Sequence, residues 1–116
     1  MSLEAAFHDN PLPLSSRGAG AYGTGPVSNP GQTNNVIAMV FVSAGSGTTH
    51  TLDVAIQTSP DNSTWTTVAS GAQITATTGS QLITAYVGST LYAQVLATVG
   101  GTGTPTKTFN VGVLVM

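Results

Sequence analysis

Residues 50–58 read His-Thr-Leu-Asp-Val-Ala-Ile-Gln-Thr. Leu52, Val54 and Ile56 alternate with Asp53, Ala55 and Gln57. A period of two puts the first set on one face of a β-strand and the second on the other. A helix would scatter both sets around its circumference, so this stretch reads as strand. The pattern recurs on either side. Residues 90–99 align Leu91, Ala93, Val95, Ala97 and Val99, and residues 107–115 align Phe109, Val111, Val113 and Val115. Residues 36–42 are apolar at every position and read as a buried strand. Shorter strands are expected at 64–70, 72–78 and 81–87.

The segments between them carry turn chemistry. Ala44-Gly45-Ser46-Gly47 and Gly79-Ser80 read as hairpin turns. In Ser59-Pro60-Asp61-Asn62-Ser63, Pro60 presets φ and Asp61 can accept from the backbone ahead of it. Trp65 follows as a core or edge plug. About seven short strands separated by turns predict an all-β fold: a single antiparallel β-sandwich, jelly-roll or Ig-like.

Upstream of residue 36 the pattern stops. Residues 1–35 hold Pro11, Pro13, Pro26 and Pro30, each without a backbone donor and each pushing its predecessor away from helix. The chain is therefore divided into an extended N-terminal arm, 1–35, and a β-sandwich domain, 36–116. Leu3, Phe7, Leu12, Leu14 and Tyr22 are apolar anchors along the arm. A purely solvated tail would not need them, so the arm is expected to dock on another chain.

Charge is scarce. Glu4, Asp9, Arg17, Asp53, Asp61 and Lys107 are the only charged residues among 116, or 5%, where roughly 25% is usual. Two cations cannot neutralise a row of phosphates, so nucleic acid is not expected as a partner. A polybasic membrane patch is excluded on the same ground. No apolar run approaches the roughly 18 residues of a membrane helix. No basic segment followed by an apolar one opens the chain, so no secretory signal is expected. The absence of cysteine removes disulfides, thiolate metal sites and Cys nucleophiles.

Little in the sequence could carry chemistry. Glu4 and Asp9 lie in the arm, and Asp61 has a turn to hold. Asp53 is the one acid on a clear strand, on its polar side. His50 and Asp53 are three apart on that strand and point to opposite faces, so they cannot form part of a triad. No metal-ligand spacing occurs. Gly18-Ala19-Gly20 and Gly100-Gly101-Thr102-Gly103 join no strand to a helix, as a phosphate cradle requires. The chain is expected to be no enzyme and to hold no cofactor or metal.

Two stretches resemble a known group. Residues 52–68, LDVAIQTSPDNSTWTTV, and residues 91–115, LYAQVLATVGGTGTPTKTFNVGVLV, resemble small β-sandwich structural proteins of tailed bacteriophages. The likeness is greatest to capsid decoration, or cement, proteins. The resemblance implies a virion protein that binds and stabilises the major capsid protein shell. It implies a location on the capsid surface after synthesis in the host cytoplasm. Its partners would be the major capsid protein and copies of itself, as a homotrimer. Two other readings stand beside it. One is a tail, baseplate or head–tail connector component. The other is a carbohydrate-binding module for host adsorption, resting on Trp65, Tyr86 and Tyr92. The alternation itself has a direct test. Ile56→Asp or Val111→Asp would bury an unpaired charge and is expected to abolish the cooperative thermal transition followed by circular dichroism.

Overall fold

The structure, a computed structural model, describes residues 7–24, 27–28, 34–88 and 92–115. Nine strands occur among them: β1 (Phe7–Gly18), β2 (Gly20–Gly23), β3 (Val27–Ser28), β4 (Asn34–Ser46), β5 (Thr49–Ser59), β6 (Thr66–Ser70), β7 (Gly79–Gly88), β8 (Tyr92–Thr102) and β9 (Thr106–Val115). They form two antiparallel sheets. Sheet A runs β1-β9-β4-β7, and sheet B runs β2-β8-β5-β6 with β3 also on β8. The all-β sandwich read from the sequence is the fold of the chain.

The two strand orders correspond position by position. Each strand of sheet A is joined along the chain to its counterpart in sheet B: β1 runs into β2 and β4 into β5, while β8 returns into β9 and β6 into β7. The register puts these crossings at one end. Ser46 pairs with Thr106 in sheet A, and Thr49 pairs with Thr102 in sheet B. Gly18 also pairs with Thr106, and Gly20 with Val99. The molecule is thus a four-stranded ribbon folded over once, its apolar side inward.

Three sequence expectations are corrected here. Residues 44–47 form no hairpin, because β4 and β5 lie in different sheets. Gly47, at φ 111°, turns the chain across the gap instead. Residues 72–78 form no strand. They cross from sheet B to sheet A, touching β5 by a single bridge between Leu52 and Ile74, and Gly79-Ser80 opens β7 rather than a hairpin. Finally, residue 35 does not separate an arm from the sandwich. Residues 7–23 supply an outer strand of each sheet. Pro11 and Pro13 fit because an edge strand needs donors on one side only, and the register shifts on both sides of Leu12.

The core is the inward set of both sheets. Val36, Ala38, Val40 and Val42 face Leu52, Val54 and Ile56 across the gap, with Val95, Ala97, Phe109 and Val111 beside them, all buried. Leu12, Tyr22, Ala69 and Ile74 pack around it. Valine suits these positions, since its branched side chain fills the pleat.

The fold-over depends on close backbone approach. A Cβ on Gly101 would collide with the Thr49 carbonyl oxygen, and its φ of 128° is one that side chains rarely tolerate. A Cβ on Gly47 would lie 2.8 Å from the Pro105 α-carbon. Gly101→Ala is therefore expected to lower unfolding free energy by about 1–3 kcal/mol, measured by urea denaturation, with Gly18→Ala, whose Cβ would meet only the Pro105 carbonyl oxygen at 4.0 Å and whose φ is ordinary, as a near-neutral control.

Candidate functional site

The residues singled out in the sequence fall in several places. Leu3 lies outside the described residues. Phe7 opposes Val115 in the β1–β9 register. Leu12 and Tyr22 pack on the core of their own chain, so these two anchors are used internally. Leu14 is half exposed. The 59–65 turn is built as its residues suggested. One Asp61 carboxylate oxygen accepts from the backbone N–H of Ser63 and of Thr64, each at 2.9 Å. The buried Ser59 hydroxyl donates to that same oxygen at 2.9 Å. These bonds, Thr64 and Ser63 foremost, hold the Asp61 carboxyl below its ordinary pKa. Pro60 is exposed, and Trp65 is half-buried at the turn's end, outside the core cluster.

No catalytic grouping forms among the described residues. His50 lies on the inward side of β5, its ring close against Gly45. Asp53 faces out and accepts from Gln73 at 3.0 Å. The two do not meet. Among the described residues, no three His, Cys, Asp or Glu side chains gather in a way that could hold a metal ion.

Both cations are engaged within the chain. Arg17 on β1 donates to the carbonyls of Phe109 and Pro13, each at 2.7 Å. Its guanidinium lies 4.6 Å from the Phe109 ring centre and 5.8 Å from that of Tyr22. Tyr22 meets Phe109 edge-on at 6.3 Å and donates its hydroxyl to the Gly18 carbonyl at 2.7 Å. This cluster closes the side of the sandwich where β1 crosses into β2. Lys107 shares the inward face of β9 with Phe109 and is fully buried. Its ammonium donates to the Ala76 carbonyl in the 71–78 crossing. Burial pushes its pKa below the ordinary lysine value.

The two outer faces differ sharply. Sheet B presents Thr51, Asp53, Gln57, Gln94 and Thr98 interspersed with Ala55, Tyr92 and Leu96, and its two glutamines bond to one another. Gln94 donates to the Gln57 side-chain oxygen at 2.8 Å, and Gln57 to the Thr67 hydroxyl at 3.3 Å. Sheet A presents Ile37, Met39 and Phe41 from β4, flanked by Leu82 and Tyr86 on β7 and Leu114 on β9. Phe41 is 50% exposed, Leu82 67% and Tyr86 65%. Met39, Phe41 and Leu82 line a shallow groove together with Ser80, Gln81 and Asn110. The sequence carried a signal for this face. Residues 36–42 are apolar at every position, but in a two-layer sandwich only one side of a strand is covered. The remaining apolar set must lie at the surface or against another molecule.

No protein-family model matches the chain, and no curated protein sequence matches it.

The buried lysine gives a pH-dependent expectation. Its pKa is lower folded than unfolded, so the unfolded chain binds more protons between the two values. The stability it contributes is complete above the unfolded value, about 10.4, and is lost as pH falls through the folded value. Lys107→Met keeps the volume without the charge. It is expected to flatten the rise of stability with pH on the alkaline side and to raise stability at pH 7, as read from urea midpoints at several pH values.

Proposed function

We propose that this chain is a structural virion protein of a tailed bacteriophage, a capsid decoration protein that binds and stabilises the major capsid protein shell. The observation that carries the reading is the uncharged, apolar outer face of sheet A. A sandwich with one apolar outer face and one outer face rich in hydroxyl and amide groups suits a subunit packed among protein neighbours, with a copy of itself against the apolar side and the shell against another. Contact through hydroxyl, amide and apolar groups avoids the desolvation cost of buried charge. Repetition of a small interface around a shell multiplies weak contacts into firm attachment.

The electrostatics agree. Arg17 and Lys107 are turned to the chain's own carbonyls, which leaves no basic patch on the described surface for a polyanion. The resemblance of residues 52–68 and 91–115 to phage decoration proteins supplies the shell as partner. The carbohydrate reading is less well supported. Tyr86 lies on the outer face of sheet A, whereas Tyr92 opposes Ser59 on sheet B, where the turn that ends in Trp65 begins, so the three make no single stacking platform.

The test is stoichiometric. Purified heads are expected to carry the protein in a fixed, high ratio to the major capsid protein. Stripped heads should bind added protein to saturation at that ratio, measured by quantitative gel densitometry. A few copies per particle would place it in the tail or connector instead and end the decoration reading.

A further inference from the structure

The uncovered face of sheet A is formed by Ile37, Met39, Phe41, Leu82, Tyr86 and Leu114. We infer that a second copy of this chain covers it with the same face, sheet against sheet, in a closed two-fold dimer. The inference rests on this sheet alone and stands whether or not the chain belongs to a virion.

Three observations select a second copy over other occupants. The first is charge. Among the described residues, the outward register positions of the four strands hold no carboxylate, lysine or arginine, and their ionisable residues are Tyr86 on β7 and His8, which opposes Leu114 at the β1 edge. Two identical faces can therefore meet without like-charge repulsion. A charged partner would desolvate its own groups against a surface with nothing to pair them. The second is area. Strands about 4.8 Å apart with a rise of about 3.4 Å per residue make a four-stranded sheet of ten-residue strands about 19 Å by 34 Å, or about 650 Å². Two copies would bury about 1,300 Å², inside the range of about 1,200–2,000 Å² for specific, stable interfaces. The third is shape. Leu82 and Tyr86 stand out from β7 while Met39 and Phe41 line the groove beside them. A sheet that offers both ridge and groove can interdigitate with its own copy, as packed sheets do about 10 Å apart.

The purified full chain is expected to sediment at equilibrium as twice 11.6 kDa, and a trimer would contradict the same-face contact. Leu82→Glu, at a position already two-thirds exposed, should fold normally by circular dichroism. It should weaken self-association by at least about 30-fold, the effect of losing a hot-spot side chain. Phe41→Glu should do the same, and Thr98→Glu on the opposite face should leave the assembly intact. A monomeric wild type overturns the inference, as does an assembly indifferent to Leu82→Glu or one dissolved by Thr98→Glu alone. Head binding separates this from the functional reading. A wild-type monomer that saturates heads, and loses them on Leu82→Glu, would make the shell the occupant and sink self-association only. An assembly that loses its copies on Leu82→Glu but ignores heads would sink the decoration reading only.

Discussion

Where the ribbon bends, the Thr49 carbonyl and the Gly101 α-carbon approach so closely that no side chain fits between them. This contact sets the phase of everything beyond it. Hydroxyl pairs stand on both sides of the bend, Ser46 with Thr106 at 2.6 Å and Thr49 with Thr102 at 3.1 Å. Together they fix the register of β4 on β9 and of β5 on β8. Because side chains alternate with period two, a slip of one residue would turn the valine set out and the polar set in. The core, the polar outer face and the apolar outer face are three consequences of one alignment.

That alignment also explains how so few charges are spent. Lys107 falls on the inward side of β9 as its register demands, and the 71–78 crossing bends past to offer the Ala76 carbonyl. Arg17 lies against the rings of Tyr22 and Phe109 and holds carbonyls at the side of the sandwich. Asp61 is occupied by a turn. Surface recognition is left to apolar, hydroxyl and amide groups, whose strength comes from fit and area rather than long-range attraction. A surface of this kind is weakly sensitive to salt and acts only at contact distance.

The alternation of Leu52, Val54 and Ile56 was enough to read the fold class, because burial on one face imposes the period directly. The facing of the C-terminal strand and the hydrogen bonding of Asp61 were equally legible, each being local. Connectivity between sheets was not. A Gly-Ser-Gly run looks alike whether it reverses a strand within a sheet or carries it across to the next, and only the partner strands decide. Residues 7–23 misled for a related reason. Proline disrupts the pattern of an interior strand but is tolerated at an edge, so an edge strand rich in proline reads as a tail. The apolar face of sheet A was visible as a run without alternation. Its meaning depended on knowing that no second layer among the described residues covers it.

The order of the strands has a consequence for how the molecule is made. β9 lies between β1 and β4 in sheet A, although it is the last strand in the chain. Until it emerges from the ribosome, β1 has no partner in its sheet, β4 is bonded on one side only, and the Phe109 ring that Arg17 covers is absent. Val36 must wait for Val115, seventy-nine residues later. Completion of sheet A thus waits for β9, with topology of the slow, long-range kind. Through that interval the inward valines of β4 lack the strand that completes their sheet, so apolar surface stays exposed on both sides of β4 and premature association is the hazard this strand order carries.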